Sequence, residues 1–151
     1  MTVRMMQKAA RAAAVSGMVL ASIAMSSAAY AVDAAPPAAA SAKLAAAGCP
    51  GDGHISRNYT CTSLSGGALF HQKYTNDKAA TWYVKTSGSK ISGKLGFTKS
   101  GKQQWGSHFS QSSGTTKRNT WSGVTYCSST VGLLSVDGQQ TYQTPLTTCN
   151  S

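Results

Sequence analysis

The chain has 151 residues, 14 Lys and Arg against four acidic side chains, a formal charge of +10 and 41% hydrophobic residues. That leaves room for one small folded domain after any leader and excludes a large multidomain enzyme. The acids are Asp33, Asp52, Asp77 and Asp137, with no Glu, which excludes a glycosidase built on a Glu pair and a carboxylate-rich Ca²⁺ cage.

Residues 1–31 open with Arg4, Lys8 and Arg11, continue through the apolar stretch AAAVSGMVLASIAM, and close on the small-any-small triplet Ala29-Tyr30-Ala31. This is the layout of a secretory signal peptide cleaved after Ala31. The apolar stretch is shorter than the about 20 residues a spanning helix needs, so no membrane span is expected. Residues 32–47, VDAAPPAAASAKLAAA, read as a flexible Ala/Pro-rich linker or propeptide, because Pro36-Pro37 interrupts any helix and little there can build a core. Residues 48–151 then form the secreted domain.

Export sets the cysteine chemistry. Cys49, Cys61, Cys127 and Cys149 are an even set expected to oxidise outside the cell, with three possible connectivities. Their spacings of 12, 66 and 22 contain no zinc-type pair, so no metal is expected, and nothing points to a cofactor.

From residue 48 onward Gly, Ser and Thr dominate and no window carries a helical apolar period, which predicts an all-β fold, an antiparallel β-sandwich or barrel. The predicted strands are 68–75, 81–86, 91–98, 103–110, 117–126, 130–136 and 140–144. A turn centred on Gly88-Ser89 sets Trp82 opposite Leu95 and Tyr83 opposite Lys94, separating apolar from polar faces. A three-residue loop at 100–102 sets Phe97 opposite Trp105 and Gly93 opposite Phe109, whereas a two-residue loop at Ser100-Gly101 sets Phe97 against Gln104. The longer loop is preferred, with Gly101 left-handed.

Asp137-Gly138 is a favoured two-residue turn that pairs Leu134 with Thr141 and Val131 with Thr144. Extended to its base, that register brings Cys127 beside Cys149, so the expected bridges are Cys127–Cys149 and, by elimination, Cys49–Cys61. Core or half-core candidates are Trp82, Leu95, Phe97, Trp105, Phe109, Trp121, Leu133 and Leu134.

Few residues can carry chemistry. His54, His71 and His108 are the groups with an ordinary pKa near neutrality. Asp52-Gly53-His54 reads as a local hydrogen bond rather than a dyad. His71 and His108, with Lys73 to attract phosphate, are the available set for metal-free RNA cleavage, which needs both imidazoles at one phosphate. Binding has broader support: residues 48–151 hold eight Lys and two Arg against three Asp, a field that favours polyanions. Tyr83 with Lys85 and Lys94 on one face would offer a ring for stacking sugar and cations for acidic groups. No basic run exceeds Lys117-Arg118, so specific nucleic-acid recognition is not expected. Asn58-Tyr59-Thr60 fits a glycosylation acceptor.

The stretches CTSLSGGALFHQKY, TWYVKTSGSKISGKLGF and SQSSGTTKRNTWSGVTYC resemble small secreted proteins of unassigned role from high-GC filamentous bacteria. The resemblance lies in composition and the order of Gly, Trp and Cys, and implies export and an all-β domain. The expected function is a secreted, monomeric, non-catalytic binding module for anionic cell-envelope or polysaccharide material. The alternatives are a small His-based, ribonuclease-like hydrolase and an antimicrobial or inhibitory protein acting through its charge.

Overall fold

The computed structural model describes residues 48–149; the leader 1–31 and the Ala/Pro segment 32–47 lie outside the described residues. The described chain is all-β. Its strands are β1 (His54–Ser56), β2 (Tyr59–Leu64), β3 (Gly67–Tyr74), β4 (Lys78–Lys85), β5 (Ile91–Lys99), β6 (Lys102–Gln111), β7 (Thr115–Ser122), β8 (Thr130–Val136) and β9 (Thr141–Gln143). They form two antiparallel sheets, β1-β2-β3-β4-β7 and β6-β5-β8-β9. The fold is therefore a sandwich. No described helix is long and apolar enough to cross a membrane.

The predicted strands from 68 onward are all present, and β1 and β2 are additional. The stretch 48–66 is polar and Gly-rich and reads as a loop, but the Ser65-Gly66 turn folds β2 onto β3 with Leu64 opposite Gly67 and Cys61 opposite Phe70. β7 ends at Ser122, short of the predicted 126.

The expected pairing of β4 with β5 is corrected. Residues 86–90 carry the chain from one sheet to the other, so β4 pairs with β3 and β7, and Trp82 meets Phe70 and Arg118 instead of Leu95. A clean polar/apolar parity suits either neighbour, so parity does not select the partner. Between β5 and β6 the turn is the tighter one. Lys99 faces Lys102, and Ser100 joins Gly101 in the left-handed region (φ 50° and 75°), the backbone of a type I′ turn. Phe97 accordingly faces Gln104 and Gly96 faces Trp105. Past a bulge opposite Leu95 the register moves by one, and Gly93 meets Phe109 as expected. At the β8–β9 turn Leu134 pairs with Tyr142, one residue beyond the expected Thr141.

The core has two layers. Between the sheets Leu69 and Tyr83 pack with Leu95, Leu134 and Val136, while Ala79, Phe97 and Val124 pack beside Trp121. The sheets approach closely at Gly132, where a Cβ would lie 2.4 Å from the Cβ of His71. The second layer lies on the other face of the five-stranded sheet, where Phe70 stacks on Trp82 at 5.4 Å among Cys61, Ala68, Tyr74, Ala80 and Val84. The Arg118 guanidinium sits 4.6 Å over the Trp82 ring and donates to Tyr74 Oη at 2.6 Å. Trp82, Leu95, Phe97, Leu133 and Leu134 are buried as expected; Trp105, Phe109 and Trp121 are half-buried.

Cys49 and Cys61 are joined, as expected. Cys127 and Cys149 are neighbours, also as expected, but are two thiols in contact rather than a bridge. Their hydrogen bond is the main cause holding the Cys127 thiol above its ordinary pKa.

Candidate functional site

The predicted ribonuclease pair is not assembled. His71 projects from the centre of β3 between the sheets and is fully buried. Its Nδ1 and Nε2 lie 2.8 Å from the hydroxyls of Thr81 and Thr130. Thr81 donates its proton to Gly96 O at 2.9 Å, so its oxygen accepts from Nδ1–H and the Thr130 hydroxyl donates to Nε2. The network thereby selects one neutral tautomer. Burial, with the neighbouring Lys73 charge second, lowers the His71 pKa to about 3.

His108 is exposed on β6, where Nε2 is 2.8 Å from Asp137 Oδ2. The two imidazoles sit on different sheets, one sealed and one in solvent, and share no phosphate site. Lys73 is also buried, and its Nζ donates to the carbonyls of Tyr126 (2.6 Å) and Ser128. It ties down the 125–128 turn instead of facing solvent, and burial lowers its pKa.

Two further sequence readings resolve locally. The Asp52 carboxylate accepts from the backbone N–H of His54 at 3.0 Å, a turn contact that leaves the imidazole out. Asn58 is buried and its side-chain nitrogen donates to Lys73 O at 3.0 Å, so this acceptor amide serves the fold.

Tyr83, Lys85 and Lys94 do not share a face, because the supposed β4–β5 hairpin does not exist. Tyr83 and Lys85 point between the sheets, and Lys94 projects from the opposite, solvent side of the four-stranded sheet. Tyr83 and Lys85 nonetheless converge. A Cβ on Gly66 would lie 3.2 Å from Tyr83 Oη and 3.3 Å from Lys85 Nζ. Both heads open into a groove of about 210 Å³ at one end of the sandwich. Its floor is Leu64, Ile91, Leu134 and Val136, and its polar rim includes Ser65, Ser87, Ser89, Gln139 and Tyr142.

Lys85 Nζ donates to Ser87 O at 2.5 Å. Tyr142 Oη donates to Gln139 Oε1 at 2.8 Å. Burial, and then the proximity of Tyr142, raise the Tyr83 pKa, which keeps this phenol a neutral donor. An apolar floor with a cation, two phenols, an amide and serine hydroxyls at the rim suits one ring of a polyhydroxylated, acidic ligand. The rim residues Gln139 and Tyr142 were not singled out from the sequence. Their only signal is position after the Asp137-Gly138 turn, and it gains meaning once β9 is known to pair with β8, whose Leu134 and Val136 line the groove.

The exposed surface of the protein is cationic. Lys78, Lys90, Lys94, Lys102, Lys117, Arg57 and Arg118 are exposed, and Asp137 is held by His108. Among the described residues no cluster of three or more metal-ligating side chains occurs. Comparison with known protein families, curated proteins and solved structures finds no match.

Proposed function

We propose that this chain is an exported, non-catalytic module that binds anionic polysaccharide of the cell envelope through the end groove. The observation that carries the reading is the convergence of the Tyr83 hydroxyl and the Lys85 ammonium over an apolar floor. A sugar ring fits the floor, its hydroxyls meet the phenols, Gln139 and the serines, and its acid group meets Lys85. The lysines spread over the rest of the surface attract a polyanion to the protein without specifying it. The Cys49–Cys61 bond is compatible with an oxidising, extracellular setting.

The test is binding of polygalacturonate, with neutral dextran as control, measured calorimetrically across ionic strength. Affinity for the acidic polymer should fall on the order of tenfold as salt rises from about 0.1 M to about 1 M and the Debye length shortens from about 10 Å to about 3 Å. Lys85→Met, which keeps the stem and removes the charge, should weaken binding with little loss of fold. Salt-independent binding, or none, overturns the reading.

A further inference from the structure

We propose that the solvent-facing side of the four-stranded sheet is a second glycan-binding surface, centred on Trp105, that takes an extended polysaccharide strand with Lys94 selecting acidic sugars. It shares only its ligand class with the groove reading and stands on different residues.

The orientation of the face follows from β5. Leu95 and Phe97 point into the core, so Lys94, Gly96 and Thr98 point outward. Their partners place the rest of the surface. Trp105 and Leu133 flank Gly96, His108 and Ser135 flank Lys94, and Gln103 and Val131 flank Thr98. Gln143 continues the Trp105 row on β9, beyond Leu133.

Trp105 is not packed as a core residue. Its indole is laid across Gly96, where a Cβ would come within 2.5 Å of Cε3 and 3.0 Å of Cδ2. Only glycine leaves that space, so the absent side chain seats the ring against the backbone. Leu133, next along the row, is fully buried although it belongs to the outer face, whereas Trp105 is left half-exposed. An indole supported on one side and wet on the other is a stacking shelf for a sugar ring.

The polar surroundings match the same ligand. Gln103, two residues along β6 from Trp105, and Gln143, at the far end of the row on β9, are exposed and offer amide donors and acceptors to hydroxyls of successive sugars. Lys94 lies two residues from Gly96 along β5, about 7 Å at strand rise, which suits an acid group on or beside the stacked sugar. Asp137, the acidic group nearest this edge, is engaged by His108 at 2.8 Å and so does not offset Lys94 alone.

Affinity gel electrophoresis against hydroxyethylcellulose and carboxymethylcellulose, neutral and acidic polymers on one backbone, tests the proposal. The full-length exported protein should be retarded by both and more by the acidic polymer. Trp105→Ala should weaken both interactions roughly three- to tenfold. Lys94→Gln, at an exposed position that does not threaten folding, should abolish the preference for the acidic polymer and spare the neutral one. Far-UV circular dichroism checks the fold of each variant; if Trp105→Ala does not fold, the Lys94→Gln preference decides alone. The proposal is overturned if folded Trp105→Ala binds like the parent, or if Lys94→Gln leaves the acidic preference intact. If the parent protein binds polygalacturonate through Lys85 but neither cellulose derivative, this surface falls and the groove stands. Binding to none of the three polymers overturns both.

Discussion

His71 shows how one side chain converts its surroundings into a property of the protein. Its neutral form accepts from Thr130, and a proton on Nε2 would set a donor against a donor in a sealed site. The folded-state pKa, about 3 against an ordinary 6.5, means that the unfolded chain takes up this proton first as pH falls. Stability is then full above about pH 6.5 and is lost toward pH 3, with a slope reaching about 1.4 kcal/mol per pH unit. The side-chain carboxylates number only four, all Asp, so the carboxylate contribution to acid sensitivity is small, and the His71→Gln variant isolates the share of this imidazole. Urea denaturation at stepped pH should show the slope in the parent and a flatter profile in His71→Gln. An equally steep profile in that variant would assign the acid sensitivity elsewhere. The imidazole that looked catalytic in the sequence is, by burial, a structural group with a pH signature.

Among the elements, the β5–β6 hairpin depends most on a single local choice. Ser100 is held at φ 50°, a region an ordinary side chain enters at a cost, because a two-residue type I′ turn matches the twist of its strands. Asn tolerates that conformation better. Ser100→Asn should raise stability by about 0.5 kcal/mol, and Gly101→Ala should lower it by about 1 kcal/mol, both read from shifts in the denaturant midpoint. The bulge opposite Leu95 then restores the register that the turn displaced. This lets Trp105 rest on Gly96 while Phe109 still meets Gly93. The same element carries its own protection as an open edge, through that bulge and the exposed Lys102.

For the molecule as a whole, much of the interior is polar or small: His71, Lys73, Thr81 and Thr130 are buried beside the leucines and aromatics. Covalent closure therefore matters. The Cys49–Cys61 loop contributes about 3 kcal/mol on a chain-entropy account. Reduction should lower the thermal midpoint on the order of 15 °C at this domain size, and coincident melts with and without reductant would refute that. The contacting thiols of Cys127 and Cys149 are placed to add a second closure beside the turn that Lys73 anchors.

Much of this architecture was legible before any coordinates. Strand content, the positions of the strands from β3 onward, the Cys49–Cys61 bond and the proximity of Cys127 to Cys149 follow from alternation, turn residues and cysteine spacing, which act over a few neighbouring residues or on the cysteines as a set. Residues 48–66 were harder, because β1 and β2 hold few apolar side chains and become strands through pairing with β3. The partners of β4 and β5, and with them the site, were decided only by the tertiary structure. A strand with a sound alternating face can lie against several neighbours at similar local energy. Close packing across the interlayer space, such as His71 against Gly132, chooses among them. That choice sent Tyr83 and Lys85 inward to the groove, left Lys94 on the opposite surface with Trp105, and kept His71 away from His108.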